Sequence, residues 1–464
     1  MTSIGRISPI PLVWCIAVTL ILGSAFREVS WSFVDTAVNF AAAADSRSWR
    51  EFLSDSLTKS VEYRPMLDLG TRLAYKSIGL SLRTYQALVE LQFVLLLAAL
   101  VLIFRPVGWR QGVAASLALS IAVGLHTSRI LFLFVPLNAY TASMLLVLAV
   151  VLFALMPGFR SYEWTLLPLT LVAMLWLELG VLIVPLVCAA WWVKAPGTTW
   201  RGVAATLAGF AIYLAMRLGP GPGVGAADPP DTGFGFSNIS AAERVALFAE
   251  TPWLLWLYNV GSSLLTVLAS EPRAGRFQFI ALVRGVGQVP LWMWLHVVSS
   301  VITTSIVFWY LAGVRGRPHR DRVIAALGGV LLIGGSLLGF LYTRDRIGLP
   351  AGIGYAMLAY LAVRALLERE RHGWHSLVVV PVIVILGFIW TIRTAEMFVA
   401  LRETAWDFHQ EWDRPEAVAA AEQNPQVAQM RLTVLKYRPA DPHRDPLWTY
   451  HLFERRFEPE KETP

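Results

Sequence analysis

Apolar residues run in blocks long enough to cross about 30 Å of hydrocarbon, for which roughly 20 residues are needed. The blocks lie at 9–25, 85–104, 110–127, 138–156, 201–217, 289–312, 323–342, 353–367 and 374–392. The stretch 164–193 is too long for one span and carries Glu178 at its middle, which predicts two short helices meeting in a hairpin with Glu178 at its tip. Basic clusters assign sides by the positive-inside rule. Arg105 and Arg110, Arg160, Lys194 and Arg201, the run RGRPHRDR at 315–322 and ERERH at 368–372 all belong on the cytoplasmic face. The alternation closes if the chain starts inside and makes eleven crossings, with 251–269 re-entrant or interfacial. The expected fold class is therefore an all-α polytopic membrane protein.

The expected organisation is a membrane domain over 1–392 with a first outer loop at 26–83 and a second outer region at 218–288, then an extracytoplasmic tail at 393–464. The tail opens with helical spacing of its apolar residues and reads as a cap or docking element. Short basic loops on one face and longer mixed-charge loops on the other place the chemistry outside. The first block follows only Arg6 and lacks a small-residue cleavage pattern, so it reads as a retained first span.

Composition agrees: only 15% of the 464 residues are charged, against roughly 25% in soluble domains. The net charge of +7 is accounted for by topology, so nucleic acid is not an expected partner. Cys15 and Cys188 both sit in apolar stretches, which excludes a disulfide framework and a thiolate metal site. No internal repeat, P-loop, HExxH or GxSxG pattern occurs.

Charges at the edges of apolar blocks are costly unless paired or hydrated, and so mark candidate sites. Glu28, Asp35, Asp45 and Asp55 lie in the first outer loop, and EYRPMLDLGTRLAYK brings Glu62, Arg64, Asp68 and Arg72 onto one short helix or its entry, with Pro65 in the first turn. Glu90 and Glu178 lie within apolar blocks, Arg217 ends the span YLAMR, and YTRDRIGLPAGIGYAM sets Arg344, Asp345 and Arg346 at a helix lip. Blander roles stand beside these: Arg217 as a snorkelling anchor, Glu90 in an interhelical hydrogen bond, Asp45 and Asp55 as helix caps or as residues in solvent, His126 as a structural histidine. Arginines that offer forked donors to a phosphate, beside a carboxylate that accepts a hydroxyl proton, fit transfer from a lipid-phosphate donor.

The order of these motifs resembles the GT-C class of membrane glycosyltransferases, and within it the O-mannosyltransferase-like branch whose eukaryotic members carry lumenal TPR repeats. The resemblance covers about residues 20–395 and rests on SWREFLSDSLTKSVEYRPML, WLELGVLIVP, YLAMR and DRIGLPAGIG in that order. It departs at Leu177, where a Lys precedes the hairpin Glu, at Gln86 and Phe93, where histidines are expected, and in having no TPR array. It implies an inverting transfer of a sugar from a polyprenyl-phosphate donor to a protein or glycan acceptor outside the cytoplasm. Asp35 would be the general base with Glu28 in reserve. Arg64, Arg346, Arg344 and Arg217 would bind the donor phosphate, and Glu178 and Asp345 would orient them. No metal ligands are assigned; a divalent cation is compatible with the reaction, but no cofactor is demanded. The expected setting is a bacterial plasma membrane with a cytoplasmic N-terminus, membrane lipid being the other partner. The alternative is a non-catalytic relative or a carrier of lipid-linked sugars.

Overall fold

The computed structural model describes residues 7–33, 36, 38–44, 48–58, 63–132, 137–218, 233–234, 237–238, 242, 245–246, 252–270, 291–341, 345–369, 374–436 and 439. Among the described residues the regular structure is helical apart from a two-residue antiparallel pairing of Gly233–Phe234 with Ser237–Asn238 and an isolated antiparallel bridge between Ile7 and Val107. In chain order the helices are α1 (Pro9–Phe26), α2 (Val38–Ala44), α3 (Trp49–Thr58), α4 (Pro65–Ile78), α5 (Leu82–Phe104), α6 (Gly108–Gly124), α7 (Ala139–Leu155), α8 (Leu166–Trp176), α9 (Ile183–Trp192) and α10 (Trp200–Leu218). They continue with α11 (Pro252–Leu268), α12 (Leu291–Ala312), α13 (His319–Leu337), α14 (Leu349–Arg369), α15 (Trp374–Glu411), α16 (Pro415–Gln423) and α17 (Pro425–Lys436). Six of the described helices are long and apolar enough to cross a membrane.

The bundle is built around α14, which is apolar on every side and buried over 89% of its most hydrophobic window. Its closest partner is α13, and small residues set that distance: a Cβ on Gly354 would lie 2.7 Å from Leu331 Cβ and would also press on the Gly328 carbonyl. Helix α6 flanks the same column, with Tyr360 donating to the Phe104 carbonyl at 3.2 Å from the other side.

The basic clusters gather at one end. Arg110 donates to the Leu367 carbonyl at 2.9 Å, Arg320 to the Ile103 carbonyl at 2.7 Å, and Arg364 pairs with Asp321 and, at 3.8 Å, with Glu368. The first two bonds cap the carbonyl ends of α5 and α14 with the positive charge those carbonyls favour, and Asp321 lies in the first turn of α13, where negative charge is favoured. The amide of Ser8 donates to the Pro106 carbonyl at 2.8 Å, so α1 starts at this end too. Gly197 N–H donates to the Ala154 carbonyl at 2.9 Å, and Glu163 accepts from the Thr199 hydroxyl at 2.6 Å, which brings the start of α8 and the end of α9 back to the same end.

That return closes the hairpin expected around Glu178. Its arms have 11 and 10 residues, about 16 Å each at 1.5 Å per residue, and neither reaches across about 30 Å of hydrocarbon. The pair enters and leaves by one face. Gly180 makes the tip, because a Cβ there would be driven into the Ala173 carbonyl. Helix α11 is a second partial element. Asn259 in its first half donates to the Phe340 carbonyl at 3.0 Å, at the far end of α13, while the Leu268 carbonyl at its other end accepts from Thr304, inside α12, at 2.6 Å.

The last helix of the bundle is unlike the rest. At 38 residues α15 is about 57 Å long, almost twice a hydrocarbon core, and it runs unbroken through position 392/393, where the sequence predicts the tail to begin. Its far part clamps the first loop: Glu411 accepts from the Ser32 hydroxyl and the Phe33 amide, both at 2.8 Å, and Trp412 Nε1 donates to the Trp31 carbonyl at 2.7 Å. Arg431 on α17 donates back to the Trp412 carbonyl at 2.9 Å, so the terminal helices pack down on this junction.

Candidate functional site

At the end opposite the basic ring, the tip of the hairpin meets the start of α4. Pro65 occupies the first helical turn, where its missing N–H costs nothing, and so fixes where Arg64 leaves the loop. Gly70 lets α4 lie on the Trp176 ring, since a Cβ would come 2.9 Å from it. Arg72, eight residues and about two turns beyond Arg64, is 2% exposed with its guanidinium 4.8 Å from the Trp49 ring centroid and 4.4 Å from that of Phe52. This stacking ties α3 to α4 through cation–π contact.

From this seat Arg64 Nε donates to both oxygens of Glu178, at 3.1 and 3.3 Å, across 114 positions of sequence. The pair is only partly covered, at 26% and 39% side-chain exposure, so a ligand can reach it. Arg217, in the last turn of α10, donates to the Tyr213 hydroxyl at 2.9 Å. Tyr213 lies within electrostatic range of Arg64 and Glu178, and its ring centroid is 6.5 Å from that of Tyr63. Burial pushes the Tyr63 hydroxyl pKa up, its neighbour Tyr213 adds to the shift and Arg217 opposes it, so Tyr63 stays a neutral donor at physiological pH. Twelve residues separate Leu166 from Glu178, which puts the cluster roughly 18 Å above the basic end and thus below the far surface.

An apolar cavity of about 680 Å³ opens beside the hairpin tip. It begins at Val181 and Leu182, three and four residues beyond Glu178, and continues along Trp253 and Trp256 of α11 to Leu337 and Phe340 beside α13. Nothing polar interrupts those six side chains.

Of the residues singled out from sequence, Arg64, Glu178 and Arg217 therefore share one neighbourhood. Glu28 pairs instead with Arg402 of α15, at 3.4 Å. Asp35, Glu62, Arg344 and Asp45 lie outside the described residues, as do the side chains of Asp345 and Arg346. The main chain from Asp345 to Gly348 forms a 3-10 turn on the turn His126–Phe132, where Thr127 sits so close that a Cβ on Gly348 would be 2.7 Å from it. Asp55 is interior to α3 and does not cap it. The cap is Ser48, whose hydroxyl accepts from the Glu51 amide at 3.3 Å while Glu51 accepts from the Ser48 amide at 2.8 Å. Glu90 lies 3.9 Å from Arg27 and against Gly23, an interhelical contact between α5 and α1.

A second polar cluster was not anticipated. Arg393 on α15, 1% exposed, donates to the hydroxyls of Ser270 at 2.7 Å, Ser300 at 2.9 Å and Ser299 at 3.0 Å, and its guanidinium lies 3.6 Å from the Trp390 ring centroid. One turn on, Glu396 meets His296 Nε2 at 2.6 Å, and the His296 ring stacks on His126 at 5.1 Å. Helices α12 and α15 build this cluster from residues about 100 positions apart. The only sequence signals were polar residues in otherwise apolar blocks, HVVSS at 296–300 and RTAE at 393–396.

Among the described residues no group of three His, Cys, Asp or Glu side chains is placed to hold a metal ion. Comparison with protein-family models, with curated proteins and with solved structures finds no match for this chain.

Proposed function

We propose that the protein transfers a sugar from a polyprenyl-phosphate donor to an acceptor hydroxyl at the end of the bundle opposite the basic ring, with inversion at the anomeric carbon. The observation that carries this reading is the meeting of Arg64 and Glu178 at the hairpin tip, three and four residues before the side chains of Val181 and Leu182 that line an apolar cavity. A lipid tail fits the cavity, and its phosphate then falls among the cations and hydroxyls of Arg64, Arg217, Tyr63 and Tyr213. The positive-inside rule puts the basic ring in the cytoplasm and this site on the extracytoplasmic side of a plasma membrane. In that frame the hairpin contributes the two short arms of the eleven expected segments, α11 is the re-entrant one, and the whole resembles a GT-C membrane domain.

The acceptor oxygen attacks the anomeric carbon from the face opposite the phosphate. A C–O bond forms to the acceptor, the C–O bond to phosphate breaks, and the acceptor proton passes to a carboxylate. Asp35 is assigned that role from its place in the first outer loop, and Glu28, held by Arg402, is the reserve. The lipid phosphate leaves with both bonding electrons. Arg64, kept in place by Glu178, and Arg217 meet its charge, and preorganised donors of this kind each contribute about 10²–10³ in rate.

A second reading rests on the other cluster. A carrier of lipid-linked sugars keeps its decisive charges inside the spans, and Arg393, Glu396 and His296 are charges or potential charges in that position. Purified protein in nanodiscs, given a panel of radiolabelled polyprenyl-phosphate sugars and candidate acceptors, separates the two. The transferase reading expects donor consumption that Asp35→Asn lowers by about 10²-fold or more. Donor binding without consumption of any donor, together with lipid movement that Glu396→Gln abolishes, would replace it with the carrier.

A further inference from the structure

Trp309 stands at the basic end of α12, partly exposed, in surroundings that the basic ring does not explain. The guanidinium of Arg317 lies 5.9 Å from its ring centroid, and that of Arg369, from the end of α14, also lies at 5.9 Å. Arg317 is in addition 5.2 Å from the Tyr310 ring. Asp321 and Glu368, the carboxylates next to these arginines on α13 and α14, both face Arg364. Among the described residues neither Arg317 nor Arg369 has a carboxylate at ion-pair distance. Two cations thus converge on one aromatic ring with no counter-charge among the described residues.

The surface that leads away from this pair is apolar. Trp294, Val298, Val301 and Phe308 are exposed on α12 at spacings of four, three and seven residues, so they share one face of the helix with Trp309. A charged pair at the interface, an aromatic ring beside it and an apolar stripe running into the membrane is the shape of one phospholipid: phosphate, glycerol region and acyl chains.

We propose that Arg317, Arg369 and Trp309 bind the headgroup phosphate of an anionic phospholipid whose chains lie along the exposed face of α12. The lipid's net charge is what recognises the site. A zwitterionic headgroup would bring its own cation to two arginines that have no carboxylate at ion-pair distance among the described residues. The site is at the end of the bundle opposite Arg64 and Glu178 and does not depend on the transfer reaction.

The test is native mass spectrometry of the full-length protein, released from detergent with phosphatidylglycerol or phosphatidylcholine at equal concentration. One phosphatidylglycerol is expected to stay bound in preference to phosphatidylcholine. Arg317→Gln and Arg369→Gln should each weaken that affinity about fivefold and together about 25-fold, from the interfacial contribution of one cation each. The exposed Arg322→Gln, at the same end but away from Trp309, should leave it within about twofold. The double lysine variant, R317K with R369K, keeps the charge and should retain most of the binding, which guards against a misfolded Gln pair. Equal retention of phosphatidylcholine, or equal loss in Arg322→Gln and in the double Gln variant, would overturn the proposal.

Discussion

The Arg64–Glu178 contact joins two side chains whose sequence contexts had little in common. Glu178 was legible because a carboxylate between Leu177 and Leu179 has no local partner, and Arg64 because Pro65 marks a helix start. Their meeting was not legible, since it depends on Gly70 lying on Trp176 and on Gly180 turning the hairpin, two close approaches with no periodicity to announce them. Arg393, Glu396 and His296 escaped for a related reason: each looks like a lone polar residue in an apolar run until α15 is laid against α12. The contact makes an asymmetric prediction. Glu178→Gln keeps the shape but loosens Arg64, and should lower turnover about tenfold to a hundredfold with donor affinity changed less, measured as separate kcat and KM. Arg72→Leu, by contrast, removes the stack on Trp49 and Phe52 and should lower the melting temperature rather than act on turnover first.

Elements followed the apolar pattern wherever a full block was present, and departed from it where blocks were short or mixed. The capping box SWRE before α3 reads as S-x-x-E, and Ser48, not the nearby Asp55, caps the helix. Replacing Ser48 by Ala should cost about 1 kcal/mol, visible as fraying of α3 in hydrogen exchange. The short hairpin of α8 and α9 was legible from the length of 164–193 and its central Glu178, and the partial reach of α11 from the alternation of basic clusters, whereas hydropathy alone records that a segment is apolar and not how far it reaches. The α13–α14 crossing is the firmest joint. Gly354→Val has no room between the Gly328 carbonyl and Leu331, and the helices must part, so a loss of roughly 1–3 kcal/mol is expected in thermal unfolding of the detergent-purified protein. The unbroken run of α15 past its last membrane turn was hidden because its composition changes at Arg393 while its helical phase does not.

At the scale of the molecule the two ends differ in chemistry. One end gathers arginines that cap helix carbonyls, and the other gathers the first loop, the hairpin tip and the terminal helices. Sequence conveyed this polarity well, because positive clusters fall between apolar blocks at regular intervals. It conveyed nothing of the strap by which Glu411 and Trp412 hold residues 31–33, a contact across about 380 positions. With Cys15 and Cys188 replaced by Ala, a cysteine at Gly316 and one at Thr433 should be labelled by an impermeant maleimide from opposite sides of sealed vesicles. The most direct test of the function is donor binding and single-turnover transfer by the reconstituted protein carrying Arg64→Gln, compared with wild type. Weaker binding of polyprenyl-phosphate sugar and a transfer rate lower by about 10²-fold or more are expected. Unchanged binding and unchanged transfer in that variant would contradict the proposed function.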